Sequence, residues 1–482
     1  MTTISISTAI VVALVSSLLW IGLPYWQDQR APLAEDPPVW LSLDVAQFES
    51  DEDVTKPTTP TYKVHPGQLF SDSYEEARAK FRLAAQALQN AYPKAVDSDD
   101  NHQRGPISLH QWTVYTDKTN GQEYTTDVVV IPGNAAGLVV HSSGVHGVEG
   151  YAGSAVQVAL LQLLREHQFL ANTSSHTNTT ALSFPTIVLI HAVDPYGMAR
   201  FRRTDQDNVD LNRNGLPDHV WTSPYVLQHK NRAQYERFSQ LFFNPRQAPT
   251  VWRATVGYAG QAVTALLRYG LPQLKEAMVR GQYHDPTGII YGGQHQVQPS
   301  WALLRDWLQP FLTERNGGDH TKEAVTWIDL HTGLGPFGVD TLLMGSIPGT
   351  THQQEIHAHM ETYFPGAQHP GSSRQGRSVA QGYETIRGSC QDFVQGFFAV
   401  DQKPLIVTQE FGTLHTVLVG RSLIVENAAH HYLPSDKALA WAQQTTRPAF
   451  YPSSRVWRRR VLTRGIRLLV QAMHRSKELS LK

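Results

Sequence analysis

Two metal-binding residue types stand three apart in the segment Ser142-Ser143-Gly144-Val145-His146-Gly147-Val148-Glu149-Gly150. The glycines beside His146 and Glu149 let the backbone turn tightly enough for an imidazole nitrogen and a carboxylate to meet one ion. That is half of a zinc-type site. An H-x-x-E of this kind also arises by chance as two solvated loop residues, so the missing ligands must come from other segments. His331, at the end of the apolar run 324–330, is a candidate third ligand. A second such run, 403–409, ends at Glu410. Arg200, Arg202 and Arg203 follow Asp194-Pro195-Tyr196-Gly197-Met198-Ala199, and Val209-Asp210-Leu211-Asn212-Arg213-Asn214 comes soon after. Arginines just past a strand end suit an anion or a developing oxyanion; a solvated basic turn is the plainer alternative.

Each of these groups sits where an apolar run stops, which is where open α/β sheets build their sites. Residues 125–132, 138–141, 185–193, 324–330 and 403–409 read as strands, and an amphipathic pattern over 153–166 reads as a helix between the second and third. This β-α-β rhythm predicts a three-layer α/β/α fold around a mostly parallel, mixed, twisted sheet. Earlier, Ser73 and Glu76 form a capping-box pattern opening a helix to Tyr92, with Ala77, Phe81, Ala84 and Leu88 on its apolar face. Residues 215–322 read as an insertion bordering the cleft, with helical patterns at 235–243, 261–268 and 301–312 and the aromatic turn Tyr291-Gly292-Gly293. His141 and His191 fall inside strands and read as core residues; His352, His357 and His359 read as a polar helix face.

The 482 residues carry 41 Lys+Arg against 42 Asp+Glu, so no charge excess points to nucleic acid. The one cysteine, Cys390, excludes an intrachain disulfide and reads as packing. Residues 4–26 hold no charged side chain and are long enough for a transmembrane helix. No Lys or Arg precedes them and no clear small-residue cleavage site follows, so residues 1–26 read as an anchor rather than a signal peptide. A tether over 27–65 follows. Sequons at Asn172 and Asn178 fit a single-pass membrane protein whose main domain is lumenal or extracellular. At the other end, residues 436–482 form a basic helical tail with Arg458, Arg459, Arg460, Arg464, Arg467 and Arg475. It reads as a terminal helix packed on the domain with its arginines in water, the alternative being a helix lying on an anionic membrane.

A strand-end H-x-x-E, an Arg-rich turn and D-x-N-R-N together resemble the zinc carboxypeptidase superfamily of carboxypeptidase A-like and aspartoacylase-like enzymes. The likeness is greatest to a branch known as a domain of unknown function, which has H-G-V-E-G and V-D-L-N-R-N in this order. It covers residues 66–435, leaving out the anchor and the basic tail. The resemblance implies Zn2+ held by His146, Glu149 and His331, with Glu410 taking a proton from water and passing it to the leaving amine. It implies Arg202 at the oxyanion, with Arg203 as its alternative, and Asn212 and Arg213 gripping a substrate carboxylate. Tyr383, followed by Gly388 and Ser389, resembles a mobile tyrosine that closes over substrate. Asp194 stands where many relatives have Asn. The expected function is a membrane-anchored zinc hydrolase of amide bonds next to a free carboxylate, acting on peptides as carboxypeptidases do. The alternatives are a deacylase of N-acyl amino acids and a catalytically silent carboxylate-binding module.

Overall fold

A computed structural model describes residues 38–44, 61–91, 106–173, 183–223, 226, 232–239, 244, 246–315, 324–344, 358–370, 386–398 and 404–481. The predicted anchor (1–26), most of the tether, Tyr383, His352, His357 and the Asn178 sequon lie outside these residues, as does the Asn172 side chain. Among the described residues, no helix is long and apolar enough to cross a membrane.

Seven strands form one sheet: β3 (Ser108–Thr116), β4 (Glu123–Ile131), β5 (Leu138–Ser143), β6 (Thr186–His191), β7 (Val325–Phe337), β8 (Asp340–Leu343) and β9 (Leu405–Gly412), in the spatial order β3-β4-β6-β5-β7-β9-β8. A separate two-stranded ribbon pairs β1 (Val39–Ser42) with β2 (Thr61–Val64). The central strands β6, β5, β7 and β9 run parallel, and antiparallel β3, β4 and β8 close the edges. Because successive strand side chains face opposite ways, Val139, Ile187 and Ile328 enter one core and Val140, Val188 and Trp327 the other. Both faces of the centre are therefore covered, as a parallel sheet requires. The three-layer expectation stands.

Helices α1 (Tyr74–Ala91) and α2 (Gly150–Thr173) cover the first face. Ser73 accepts from the Glu76 amide, but Glu76 reaches back to Asp72 rather than to Ser73. Within 215–322, α3 (Tyr258–Arg280) is broken at Gly270, and α4 (Pro299–Arg315) covers the second face through Trp301, Leu304 and Leu308. Helix α5 (Thr416–Tyr432) follows β9. The predicted basic tail is α6 (Arg455–Leu479), with Trp457, Val461, Leu462 and Ile466 fully buried in the first core. Its packing is as expected, but the expectation that its arginines are in water fails for three of them. Arg458 lies buried over the Phe70 and Tyr451 rings, Arg467 donates to Gly366 O, and Arg475 donates to Thr326 Oγ1. The aromatic faces and backbone carbonyls that accept these guanidinium groups offset their desolvation.

Candidate metal centre

The chain leaves β5 through Gly144, whose φ of +76° favours glycine and reverses the backbone. His146 then caps a single turn, Gly147–Glu149, that leads into α2. Gly147 is fixed by close approach: a Cβ there would lie 2.0 Å from the Gly197 carbonyl carbon. Hydrogen bonds from the Val148 amide to Arg202 O (2.7 Å) and from the Gly147 amide to Arg203 O (3.4 Å) stitch the loop to the arginine turn. Backbone contact thus holds the first two motifs together.

His146, Glu149 and His331 are buried and converge, each offering a ligand atom within 4.8 Å of the others. Glu149 Oε1 lies 2.9 Å from His146 Nδ1, and Oε2 lies 3.1 Å from His331 Nδ1 while accepting from the Thr332 amide. The two imidazole Nδ1 atoms are 3.0 Å apart. Behind them, His331 Nε2 meets Asp329 Oδ2 at 2.5 Å and His146 Nε2 meets Asp210 Oδ1 at 3.2 Å. Ionised carboxylates only accept, so each ring donates from Nε2 to its aspartate, and a neutral ring then turns the lone pair of its Nδ1 toward Glu149 and the other ring. Two lone pairs and a carboxylate aimed at one point repel unless a cation or proton lies among them. The donor set therefore fits a metal ion, with Asp210 and Asp329 orienting the rings.

The electrostatics agree. Despite the cost of burial, His146 and His331 hold Glu149 well below the usual carboxylate range, and Arg203 followed by His146 does the same for Asp210. Asp329 and then Glu149 hold His331 well above the usual imidazole value, again against burial. Glu410 lies directly beside His331 in the β7–β9 register and accepts from the Leu334 amide at 2.8 Å. Burial, then repulsion from Glu149, pushes its carboxyl up to about 7. A group poised there can take and return a proton near neutrality.

The two arginine candidates separate. Arg203 faces the cluster, with Nε 2.9 Å from Asp210 Oδ2 and Nη1 3.6 Å from Glu149 Oε1. Arg202 points the other way, with Nε 2.7 Å from Glu426 and Nη2 donating to Asn208 at 2.7 Å. Buried Glu426 already neutralises Arg202, so of the two arginines expected as alternatives it is Arg203 that faces the cluster. Asn212 accepts from the Cys390 amide through Oδ1. Arg213 is buried, and its guanidinium donates to the carbonyls of Val279 and Asn212, so it presents no outward fork.

Asp210 and Asp329 were not assigned roles from sequence. Their signals are an aspartate inside an otherwise apolar strand, two residues before a histidine and so on the same face, and an aspartate within V-D-L-N-R-N. Cys390 is buried as expected, and burial followed by the charge of Asp329 holds its thiol well above the usual value. Asp194 caps the arginine turn through the Gly197 amide, and burial pushes its carboxyl up to about 8. Raised that far, the carboxyl favours its protonated form near neutral pH, with the donor-plus-acceptor character of the Asn that many relatives have there.

A family model described as "Protein of unknown function (DUF2817)" matches residues 70–464. The chain belongs to that family. The match takes in the first part of α6. No curated protein matches. Among solved structures, the chain is similar to thrombin activatable fibrinolysis inhibitor (12% identity, 84% of this chain and 80% of that one, TM-score 0.37). It is similar to a succinylglutamate desuccinylase/aspartoacylase from Rhodobacter sphaeroides (12% identity, 70% and 69%, TM-score 0.30). It is also similar to a candidate carboxypeptidase from Burkholderia mallei (13% identity, 92% and 80%, TM-score 0.35). The chemical reading of this DUF2817 chain rests on its side chains rather than on these likenesses.

Proposed function

We propose that this protein is a zinc-dependent hydrolase of amide bonds adjacent to a free carboxylate. One observation carries the reading: two buried imidazoles, each backed by an aspartate, and a buried glutamate converge beside a second carboxyl poised near neutral pH. His146, Glu149 and His331 would hold the ion, which when bound supplies a polarised carbonyl and a more acidic water. Glu410 accepts the water proton and returns it to the leaving amine. Arg203 lends positive charge where the carbonyl oxygen becomes an oxyanion. Arg202 instead braces the turn that holds Arg203.

The free carboxylate is the finer part of the proposal and rests on the resemblance at Asn212 and Arg213. Arg213 can take a carboxylate only in exchange for the Val279 carbonyl, so capture is linked to movement at the end of α3. Both peptides and N-acyl amino acids carry such a group. The anchor also belongs to the proposal, resting on the uncharged run 4–26, and resistance of the native protein to alkaline extraction from membranes tests it.

Metal analysis of the full-length protein beside His146→Ala and His331→Ala, followed by digestion of a peptide library and of N-acyl amino acids, tests the function. About one zinc per chain, lost in both variants, with an amide cleaved next to a carboxylate is the expected result. Zinc without hydrolysis of either substrate set would favour a silent carboxylate-binding module, and no metal would end the mechanism.

A further inference from the structure

We propose that the substrate carries a long apolar acyl chain, as a fatty N-acyl amino acid does, and that the chain lies in the groove between α3 and the start of α5. The inference rests on the amide-hydrolase reading and narrows it.

The groove has a cavity volume of about 80 Å³, opens to solvent along one side, and is walled by Ala262, Leu266 and Leu274 of α3, Val417 and Val419 of α5, and Leu334. Tyr258 crosses it and spends its hydroxyl on Val417 O, so its ring is what it offers the groove. Two wall residues reach the candidate centre through their backbones. The Leu334 amide donates to Glu410 Oε1, and the Val279 carbonyl accepts the Arg213 guanidinium. The apolar space therefore adjoins both the proton acceptor and the arginine expected at the carboxylate.

The segment that leads into α3 and past its break also exposes apolar side chains. Five of the ten large hydrophobic side chains exposed among the described residues fall within 251–271: Val251, Trp252, Val256, Leu267 and Leu271. Leu271 belongs both to this set and to the groove, next to the break at Gly270 (φ +77°) and Pro272. An acetyl group or a polar peptide gives such a lining little to desolvate, whereas each methylene of an alkyl chain leaves water without stranding a polar atom. The reaction is hydrolysis. Water oxygen bonds to the acyl carbon, the C–N bond breaks, Glu410 carries the water proton to the amine, and a fatty carboxylate and an amino acid leave.

The test uses full-length protein in two measurements. The first is binding of dansylated undecanoic acid, read by fluorescence, to native protein and to the groove-filling variants Ala262→Phe and Leu266→Trp; Leu266 is partly exposed, so its variant tolerates the larger ring. The second is kcat/KM of the zinc-loaded protein for N-acetyl, N-octanoyl and N-dodecanoyl forms of one amino acid. The proposal expects native protein to bind the probe and both variants to lose roughly tenfold or more in affinity. It expects kcat/KM to climb by up to about fourfold per added methylene in native protein, with the N-acetyl rate unchanged in the variants. A flat chain-length series, or probe affinity indifferent to both variants, would overturn it. So would binding to phosphatidylcholine vesicles without capture of the probe, which would make this face a bilayer contact. Probe binding sensitive to the variants, with no acyl form hydrolysed, would keep the groove as an apolar-chain site and defeat the hydrolase reading instead.

Discussion

Two pairs of buried histidines lie on or just beyond neighbouring parallel strands of one sheet and differ in what stands behind them. His141 and His191 sit within β5 and β6; their partners are Gln157 and Ser154, and one nitrogen of each ring has no hydrogen bond. Burial outweighs the opposing pull of Asp329 on His141 and of Asp127 on His191 and pushes both down to about 4, so they are neutral spectators. His146 and His331 are as buried but back onto Asp210 and Asp329, and both present Nδ1 to one point. The lesson is that burial neutralises an imidazole, whereas a carboxylate behind it fixes which nitrogen the ring presents and so fits it to hold a metal.

The sharpest break of this contrast lies at Glu410. Glu410→Gln keeps the shape and the Leu334 contact but cannot accept a proton, so kcat should fall by about a hundredfold to ten-thousandfold while metal content is unchanged. The native kcat/KM should rise with pH as Glu410 ionises. In metal-free protein the carboxyl should titrate near 7, followed by carbon-13 NMR, and a bound cation should pull the acid limb of the rate profile below that value. An acid limb that survives in Glu410→Gln would assign the titration to another group.

The paired arginines come next. Arg203→Ala should lower kcat by about a hundredfold to a thousandfold, with a smaller stability loss than Arg202→Ala because the Asp210 it leaves behind keeps His146 and the Asn212 amide beside it. Arg202→Ala leaves Glu426 buried without its partner, and burial already holds that carboxyl above its usual value. The loss there should be stability, about 3–5 kcal/mol, read by chemical denaturation. Equal kinetic losses with no stability difference would erase the distinction between the two side chains.

A smaller effect is expected from Asp329→Asn, which keeps the size but weakens the acceptor behind His331. Zinc affinity should fall by about tenfold to a hundredfold in competition with a chelator, whereas Gln157→Leu behind His141 should leave it unchanged. Metal affinity indifferent to Asp329 would mean that the ring is oriented by packing alone.

These contrasts mark what the chain discloses before it folds. The parallel strands are legible because β5, β6, β7 and β9 are continuous apolar runs, and the ligands are legible because they stand where those runs stop. The side of the turn on which an arginine emerges is not. Arg202 and Arg203 are adjacent, and their separation depends on Phe201 taking a positive φ (54°) and on Glu426, 224 residues away, claiming Arg202. Nor is the fate of Arg213 legible, because the carbonyl that occupies it belongs to Val279, within a segment that reads only as an insertion. The basic stripe of α6 reads as solvated because nothing local announces the Phe70 and Tyr451 rings that receive Arg458.

The spectator pair makes the mildest prediction, and its sign follows from linkage. In the folded protein His191 titrates at about 4, against 6.5 for an ordinary imidazole, so between those values the unfolded chain binds a proton that the folded one does not. Stability is therefore complete above about 6.5 and is lost as pH falls toward about 4. His191→Gln preserves a polar contact for Ser154 but removes this proton uptake, and it also gives up the stacking on Phe81. At pH 7 the variant should be less stable by about 1 kcal/mol, yet its Tm should decline less steeply than that of the native protein on acidification. Tm curves that run parallel from neutral pH to pH 4 would show that His191 is not a source of the acid loss.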